Sequence, residues 1–453
     1  MLGGCTLKKG EIYEVEIKDV LFPNKGISYV NEKAVYIKNA VPGQKVKIKI
    51  IKNKKDYAEG IILEVLKKAS NEINPPCSVF GLCGGCSYQN LPYEFQLKLK
   101  EEQVKKLLNG EKIKYDFLGI EKSPLEFGYR NKMEFTFGED NNKLSLGLHK
   151  KGKFYEVITT NNCKIVHEDF NKILDSTLLY FSQENIPYYN KKNHEGFLRH
   201  LVLRRAFRTN QILVNIVTTS QLNFDLSEYA KILLSLNLQS KIVGILHTIN
   251  DSISDVVQSD KTQVLYGNDY IIEEILGLKF KITAFSFFQT NSYGAEKLYS
   301  IVRDFAGDTK NKVIFDLYSG TGTIAQIMAP VAKKVIGIEI VEEAVYAAKE
   351  NAKLNNLENC EFIAGDVLKK VDELKIKPDI IILDPPRDGI HPKAINKIIN
   401  FKAPKIVYVS CKPTSLARDL KIFVENGYEV KKVKCVDMFP HTPHIETVAL
   451  IER

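Results

Sequence analysis

The chain has 453 residues, 44% of them hydrophobic and 26% charged, which is an ordinary composition for a globular protein. A single domain averages ~150 residues, so this length predicts two or three domains and excludes a miniprotein. No stretch approaches the ~20 consecutive apolar residues of a membrane-spanning helix, so we expect no membrane span. The net charge is +9, and residues 1–70 contain 14 Lys against 8 acidic residues, which favours a polyanionic partner.

Residues 9–66 have the pattern of short β-strands. Charged and apolar residues alternate most regularly in residues 45–50 (Lys-Val-Lys-Ile-Lys-Ile), and alternate side chains of a strand face opposite sides. Turn signals recur at residues 23–26 and 42–43. This spacing predicts a small OB-like β-barrel over residues 1–70 with lysines on its wet face. A solvated lysine face without any ligand is an equally good interpretation of the lysines.

The remaining chain divides into two further domains. Asn-Pro-Pro at residues 74–76 breaks the strand pattern and marks a boundary. Residues 129–217 have the pattern of β-hairpins, which predicts an antiparallel α+β middle domain over residues 71–284. After Phe288, apolar strands alternate with amphipathic helices, the pattern of a parallel sheet covered on both faces. We therefore expect a C-terminal α/β domain over residues 285–453.

A strand, a glycine-containing turn and a helix follow one another in residues 313–324 (Val-Ile-Phe-Asp-Leu-Tyr-Ser-Gly-Thr-Gly-Thr-Ile). Glycines such as Gly320 let a ligand approach the backbone, but the third glycine of the dinucleotide fingerprint is missing, so a pyrophosphate is disfavoured. Further strands end in Glu339, Asp366 and Asp384, and a strand-end carboxylate accepts ribose hydroxyls. Each feature alone is commonplace. Together they resemble the class I (Rossmann-like) S-adenosylmethionine-dependent methyltransferases, which implies that these residues bind S-adenosylmethionine.

A cysteine stands where a strand ends and a helix begins, in residues 405–416. We expect the helix N-terminus and the cation of Lys412 or Arg387 to lower the pKa of Cys411 from ~8.5 and supply thiolate near neutral pH. Methylating carbon 5 of a pyrimidine needs such a nucleophile, because addition at carbon 6 turns the ring into an enolate. The proton on carbon 5 must then leave, and Glu446 is the candidate base. The alternative interpretation is a small buried cysteine and a solvated edge glutamate.

Three motifs resemble the RNA 5-methyluridine methyltransferases: residues 384–387 (Asp-Pro-Pro-Arg), 410–413 (Ser-Cys-Lys-Pro) and 444–448 (His-Ile-Glu-Thr-Val). The similarity spans nearly the whole chain. It implies that Cys411 is the nucleophile and Glu446 the base. The cofactor contacts that it implies are Gln289, Tyr318, Glu339 and Asp384.

The same resemblance has consequences for domain organisation. It implies that residues 1–70 form a TRAM domain, an RNA-binding barrel, in agreement with the alternating pattern. It also implies that the helix predicted over residues 91–109 packs on the catalytic domain, so that residues 93–124 belong there rather than to the middle domain.

Eight cysteines are too few for a disulfide scaffold, and three of them are grouped, which predicts a metal site in a reducing compartment, the cytoplasm. Cys77, Cys83 and Cys86 are separated by five and two residues, and Cys163 is the best remote fourth ligand. Three grouped cysteines with one distant cysteine are typical of a cubane iron-sulfur cluster, whereas zinc sites more often use two close pairs. Zinc is the alternative metal for this site. The family resemblance implies a 4Fe-4S cluster on these four positions.

RNA contacts are expected from the barrel and from aromatic and cationic residues of the middle hairpins. These residues are Tyr129, Arg130, Asn131, Lys132, Arg199, Arg204 and Arg205. A target base must be flipped out to reach Cys411.

The sequence thus predicts a cytoplasmic enzyme that methylates carbon 5 of a uridine in 23S rRNA and needs no obligate protein partner. The alternatives are a transfer RNA substrate, methylation of an exocyclic amine with Cys411 idle, and a non-catalytic iron-sulfur protein that binds RNA or senses redox state.

Overall fold

The computed structural model describes residues 7–254, 261–371, 373–374 and 376–453. Its first unit is a barrel built by alternating burial: Val46, Ile48 and Ile50 are buried, whereas Lys45 and Lys49 between them are exposed. The strands are β1 (Ile12–Glu16), β2 (Asp19–Leu21), β3 (Lys25–Val30), β4 (Lys33–Lys38), β5 (Lys45–Asn53) and β6 (Tyr57–Lys67). Their order is β1-β5-β6-β4-β3-β2.

Hydrogen bonds between the end of β1 and β3 close this sheet. The Lys18 amide donates to the Ile27 carbonyl at 2.9 Å, and the Ser28 hydroxyl donates to the Glu16 carbonyl at 2.8 Å. Closure leaves few unpaired strand edges in a small all-β unit.

A helix and a strand lead from the barrel to the C-terminal sheet. They are α1 (Tyr93–Gly110) and β7 (Asp116–Glu121). Leu99 of α1 packs in the core of the barrel, whereas Val104 and Leu108 pack in the core of the C-terminal domain. The helix therefore joins the two units, and β7 becomes the edge strand of the C-terminal sheet.

The middle domain is a seven-stranded sheet with two helices. Its elements are β8 (Lys132–Asp140), β9 (Lys143–His149), β10 (Val157–Thr159), α2 (Glu168–Gln183), β11 (Leu198–Ala206), β12 (Gln211–Thr218), α3 (Ser227–Leu234), β13 (Lys241–Ile249) and β14 (Lys261–Gly267). The strand order is β10-β9-β8-β11-β12-β13-β14, antiparallel except between β12 and β13. Phe170 and Phe181 of α2 and Tyr229 of α3 pack on this sheet.

A hairpin of β15 (Tyr270–Ile275) and β16 (Leu278–Thr283) lies between the middle and C-terminal domains. Its Ile271 and Phe280 share one core cluster with Leu213 of the middle sheet and with Leu298 and Ile324 of the C-terminal domain. We expected one domain to end and the next to begin at residue 284. In the structure, the two domains share one hydrophobic core around the hairpin there.

The C-terminal domain is an eight-stranded α/β sheet. Its elements are α4 (Ser292–Ala306), β17 (Val313–Leu317), α5 (Thr323–Met328), a 3₁₀ turn (Ala329–Val331), β18 (Lys334–Glu339), α6 (Glu342–Leu354), β19 (Cys360–Ala364), α7 (Val367–Lys370), β20 (Ile380–Leu383), α8 (Pro392–Asn400), β21 (Lys405–Ser410), α9 (Pro413–Glu425), β22 (Glu429–Val436) and β23 (Glu446–Glu452). The order is β19-β18-β17-β20-β21-β23-β22-β7.

Strands β17 to β21 of this sheet are parallel, and β23 runs antiparallel to them. The chain runs outward from β17 in one direction and resumes at β20 in the other, so the order reverses between β17 and β20. Ligands of open α/β sheets bind in the crevice at such a reversal. The fold class expected from the sequence is confirmed: a barrel, an antiparallel α+β domain and a Rossmann-like domain. No helix in the described parts of the chain is both long and apolar enough to cross a bilayer.

Candidate active site

A cavity of about 1030 Å³ opens at the carboxyl ends of β17 and β20. All eight residues predicted to bind cofactor or to react line this one cavity: Gln289, Tyr318, Gly320, Glu339, Asp366, Asp384, Cys411 and Glu446. Residues that are more than 150 positions apart in sequence therefore share one space, which is the arrangement that a two-substrate reaction requires.

The turn after β17 forms one wall of the cavity. The amides of Tyr318 and Ser319 both donate to the Ile338 carbonyl at 3.0 Å, which bends the chain sharply away from the strand. Gly322 has a φ of +72°, and a Cβ atom there would lie 2.4 Å from the Phe362 ring. Glycine is required at this position both by the left-handed backbone and by the close approach.

Two strand-end carboxylates are already oriented by backbone amides. The Gly320 amide donates to Glu339 Oε2 at 2.9 Å, and the Val341 amide donates to Glu339 Oε1 at 3.0 Å. Asp366 caps α7, since its Oδ1 accepts from the Leu368 amide at 2.9 Å. Fixed carboxylates of this kind accept hydrogen bonds from the hydroxyl groups of a bound nucleoside without reorganising.

Asp316 belongs to the site although we did not predict it. Its Oδ2 accepts from the Ala325 amide at 2.9 Å, whereas its Oδ1 and the Ser319 hydroxyl are buried without a hydrogen-bond partner among the described residues. Burial, Asp384 and Glu339 together raise the pKa of Asp316 to about 8. Asp316 belongs to the strand-turn-helix motif of residues 313–324, so the sequence placed it near the cofactor. The motif did not show that its side chain faces the cavity.

The unpaired Asp316 Oδ1 and Ser319 hydroxyl show which chemical groups a ligand of this cavity must supply. Burial raises the pKa of Asp384 to about 7, so this carboxyl is poised between its charged and neutral forms. Buried acceptors without partners are costly unless a ligand supplies donors. The ribose hydroxyls and the ammonium group of S-adenosylmethionine supply such donors, and its sulfonium supplies a positive charge beside the carboxylates, so the residues present fit that cofactor.

Cys411 directly follows β21, and Pro413 begins α9 as its first residue. The expectation of a lowered thiol pKa is wrong. Burial together with the nearby Glu446 and Asp384 raises the pKa of Cys411 to about 11, and the opposing hydrogen bond and charge of Arg387 do not compensate. Lys412 is engaged elsewhere, with its ammonium 3.8 Å from the Asp388 carboxylate.

Glu446 is the first residue of β23, and its side chain is only 4% exposed. Burial and the charge of Asp384 raise its pKa well above the usual value, while Arg387 acts in the opposite direction. Arg387 therefore faces both Cys411 and Glu446. A thiol after β21, a carboxyl at the start of β23 and a guanidinium after β20 are thus brought together at one edge of the sheet.

Gln289 lies in the loop before α4 and reaches the cavity from the side of the hairpin. Its side chain hydrogen-bonds the hydroxyl of Tyr299, a fully enclosed tyrosine whose pKa is raised by burial and by Asp384 and Glu446. Phe287, two residues earlier, is 70% exposed on the cavity wall. An exposed aromatic ring at the entrance offers a stacking surface to a nucleobase.

The four cysteines predicted as metal ligands occupy one neighbourhood. The charges of Cys77, Cys83 and Cys163 act on Cys86, and burial raises its pKa to about 12. Burial also raises the pKa of Cys163 to about 11. Across residues 7–254, 261–371, 373–374 and 376–453, no three Cys, His, Asp or Glu side chains form a ready-made ligand set.

The surroundings of these cysteines suit ligation of a soft metal. The Gly85 amide donates to the Cys83 sulfur at 3.3 Å, and the amides of Ile165 and Val166 donate to the Cys163 sulfur. Amide donors favour the thiolate form, although burial still raises the pKa of these thiols overall. Four thiols are the donor chemistry that an iron-sulfur cluster or zinc uses, but the described residues do not already form a ligand set.

The expectation that arginines of the middle hairpins face RNA is wrong for Arg199 and Arg204. Both lie in β11, the central strand of the middle sheet, and each is 3% exposed. The Arg199 guanidinium donates to backbone carbonyls of residues 250–254, and that of Arg204 donates to the carbonyls of Ala284 and Ser286. These cations hold loops in place because a buried guanidinium must satisfy its donors internally.

Tyr129 and Asn131 are likewise buried, at 0% and 5% exposure, so they do not present stacking or polar groups to RNA. The three remaining predicted contacts, Arg130, Lys132 and Arg205, are partly exposed and stay predictions.

Comparison with known proteins agrees with this geometry. The family model described as tRNA (Uracil-5-)-methyltransferase matches residues 92–453, and the TRAM domain model matches residues 7–63. An uncharacterized RNA methyltransferase of Caldanaerobacter subterraneus subsp. tengcongensis is 57% identical over 449 residues, covering 99% of this chain and all of the relative. One of Clostridium tetani is 56% identical over 451 residues, with 99% of each chain covered.

A solved structure is similar over almost the whole length. It is the Pyrococcus abyssi tRNA (uracil-54, C5)-methyltransferase in complex with S-adenosyl-L-homocysteine, with a TM-score of 0.77, 27% identity, and 96% of this chain and 100% of the other covered. The family model spans well over half of the sequence, and the TRAM model covers the barrel. The chain therefore belongs to the tRNA (uracil-5-)-methyltransferase family of S-adenosylmethionine-dependent RNA methyltransferases.

Proposed function

We propose that the protein methylates carbon 5 of a uridine through a covalent bond between Cys411 and carbon 6 of the base. The observation that carries this proposal is that Cys411, Glu446 and Arg387 line the same cavity as the strand-end carboxylates, with Arg387 close enough to act on both Cys411 and Glu446. S-adenosylmethionine supplies the methyl group. The carboxylates Glu339, Asp366 and Asp384 and the Gln289 side chain would hold it.

Cys411 would act first. Its thiol is protonated in the free protein, so its proton must pass to solvent before the entering base closes the cavity to water. The Arg387 guanidinium, which hydrogen-bonds the sulfur, favours the thiolate at that moment. The thiolate would add to carbon 6, and the electron pair of the resulting enolate would form the bond from carbon 5 to the methyl group while the sulfur–methyl bond of the donor breaks and S-adenosylhomocysteine leaves.

Glu446 would act second. The proton on carbon 5 passes to its carboxylate, the electron pair of that C–H bond re-forms the double bond between carbons 5 and 6, and the Cys411 sulfur leaves as thiolate. The raised pKa of Glu446 makes its ionised form a stronger base than an exposed glutamate.

We propose 23S rRNA as the substrate, on the family resemblance of the cysteine set and the barrel. A transfer RNA is the second candidate, and one observation favours it: the solved tRNA (uracil-54, C5)-methyltransferase aligns with 96% of this chain, which includes most of the barrel. The barrel by itself therefore does not distinguish the two substrates. An RNA substrate and reduced cysteines agree with a cytoplasmic location.

The test is methyl transfer from labelled S-adenosylmethionine to separate 23S rRNA and transfer RNA transcripts, with the product nucleoside identified by mass spectrometry. We expect 5-methyluridine in the 23S rRNA, none after Cys411→Ala, and normal activity in Cys360→Ala, a matched change outside the cavity. An N-methylated nucleoside from Cys411→Ala would support exocyclic-amine chemistry instead. No methylated product from either transcript would contradict the proposed function.

We also propose that Cys77, Cys83, Cys86 and Cys163 hold a 4Fe-4S cluster, which would organise structure or RNA because the proposed reaction transfers no electrons. Anaerobically purified protein should contain about four iron and four sulfide per chain. Stoichiometric zinc with no sulfide would contradict this assignment. Cys163→Ala should remove the iron, whereas Cys360→Ala should not.

A further inference from the structure

The segment of residues 437–445, called the strap here, joins β22 to the residue proposed as the general base. It ends immediately before Glu446, and its Phe439 lines the same cavity as Cys411 and Glu446. The strap therefore connects Val436 to its sheet partner Glu446 and forms part of the cavity wall, so a shift of the strap would move the end of the strand that carries the base. A strap without regular secondary structure needs other groups to fix it.

Four consecutive carbonyls of the strap are each held by a different part of the chain. Asn291, the N-cap of α4, donates to the Met438 carbonyl at 2.9 Å, and Tyr129 donates to the Pro440 carbonyl at 3.0 Å. The amides of residues 87 and 88, next to Cys86, donate to the His441 carbonyl at 2.8 and 3.0 Å.

The fourth holder is Lys100 of α1. Its ammonium donates to the Phe439 carbonyl at 3.1 Å and to Asp437 Oδ1 at 2.7 Å. Both side chains of this ion pair have 0% exposure. The Phe439 amide donates to the same Asp437 oxygen at 3.2 Å, so the buried cation holds two residues of the strap that are also hydrogen-bonded to each other.

A fully buried lysine is expensive, and a hydrophobic pair of similar volume is often at least as stable. The buried ion pair of Lys100 and Asp437 is therefore better explained by the geometry that it imposes on the strap than by a gain in stability. One ammonium with three donors can satisfy a carboxylate and a carbonyl at once, which neither a methionine nor a planar guanidinium does in the same space.

We infer that Lys100 is a positioning residue that holds Glu446 through the strap for removal of the carbon-5 proton. The inference rests on the proposed function, because it assigns a role in one step of that reaction. Lys100 itself does not line the cavity. Its loss should therefore affect the step that needs Glu446 more than the steps that need only Cys411 and the methyl donor.

Two RNA substrates separate these steps. With 5-fluorouridine in a 23S rRNA transcript, carbon 5 has no proton to lose, so the methylated adduct on the protein accumulates whether or not a base is in place. With 5-tritiated uridine in the same transcript, tritium release into water measures removal of the carbon-5 proton. The ratio of tritium release to adduct formation therefore reports whether the base is correctly placed. Misfolding would lower both rates and leave their ratio unchanged.

We expect Lys100→Met to form the fluorinated adduct at nearly the wild-type rate but to release tritium roughly tenfold more slowly, part of the ~10²–10⁴-fold that a general base supplies. The methylated covalent adduct should then accumulate on ordinary RNA. Tyr129→Phe removes the hydroxyl that donates to the Pro440 carbonyl of the strap, so it should also slow tritium release relative to adduct formation, but by a smaller factor. Lys98→Met, the same substitution at an exposed position of α1, should change neither rate.

Unchanged tritium release in Lys100→Met, or an equal fall of both rates in a variant that still binds S-adenosylmethionine, would overturn the inference. If Lys100→Met does not fold, Lys100→Met/Asp437→Asn removes the unpaired charge and should show the same split between the rates. A normal ratio in that double variant would overturn the inference as well. Absence of any adduct in the wild-type protein would instead refute the proposed function.

Discussion

Alanine at Gly322 should destabilise the protein more than alanine at Gly320, although both glycines lie in the turn after β17 and both have a positive φ. At Gly320, φ is +53° and a Cβ atom would meet nothing within 4 Å. At Gly322, φ is +72° and a Cβ atom would lie 2.4 Å from one atom of the Phe362 ring and 2.9 Å from Ala348 Cβ. The two positions thus share backbone strain but differ in available space.

The expected magnitudes follow from these two contributions. A left-handed non-glycine residue costs about 1–2 kcal/mol, and overpacking a core adds about 1–3 kcal/mol. The free energy of unfolding should therefore fall by about 1–2 kcal/mol in Gly320→Ala and by about 2–5 kcal/mol in Gly322→Ala. Gly320 lines the cavity, so its alanine variant should instead weaken S-adenosylmethionine binding by about tenfold or more, or ~1.4 kcal/mol.

Urea unfolding gives the two stabilities, and calorimetric titration with S-adenosylmethionine gives the affinities. A control is built into the site: Phe362→Leu removes the ring that Gly322→Ala would strike, so the double variant should be more stable than the sum of the single effects by about 0.5–3 kcal/mol. Equal destabilisation of the two glycine variants, or strict additivity with Phe362→Leu, would refute the packing argument for this turn.

Three further predictions concern ionisation and burial. Alkylation of Cys411 by iodoacetamide should rise about tenfold per pH unit from pH 7 toward the pKa of about 11, measured by mass spectrometry of the Cys411 peptide; a plateau near pH 8 would show an ordinary thiol. The pKa values of Asp384 and Asp316 are raised to about 7 and 8, so the folded state holds extra protons between ~pH 4 and these values, and the stability from that difference is lost as the pH rises through them. Urea unfolding should therefore show a larger loss of stability between pH 4 and pH 7 in the wild type than in Asp384→Asn, and identical slopes over that range would contradict the raised pKa. Finally, Arg204→Ala should destabilise the protein by about 1–3 kcal/mol, because it leaves the Ala284 and Ser286 carbonyls without their donor, and should leave RNA affinity of the folded fraction unchanged; weaker RNA binding in a filter assay without loss of stability would place Arg204 on the RNA surface instead.

Features set by local periodicity were predictable from the sequence. Alternation in residues 45–50 predicted β5 and the barrel, and apolar strands ending in acids predicted a parallel sheet whose carboxyl edge carries the site. Such patterns are read directly because side-chain direction repeats every two residues in a strand. Strand-end residues converge on the same edge of a parallel sheet, so Glu339 and Asp384 could be assigned to one cavity before the structure was known.

Features set by tertiary surroundings were not predictable in the same way. Arg199 and Arg204 look like RNA-binding cations in sequence, but the neighbouring strands β8 and β12 and the loops beyond them enclose both guanidinium groups. The thiol pKa of Cys411 depends on Glu446 and Asp384, which arrive from other strands. Lys100 and Asp437 lie 337 positions apart, and nothing local indicates that they form a buried pair.

The central claim is that the Cys411 sulfur bonds transiently to the target base. The most direct measurement is mass spectrometry of the protein–RNA adduct formed with 5-fluorouridine-substituted transcript and S-adenosylmethionine, after digestion of both polymers. The account predicts a methylated fluorouridine nucleotide on the peptide that contains Cys411, and no adduct from Cys411→Ser. A base attached to a different residue, or normal 5-methyluridine formation by Cys411→Ser, would contradict it.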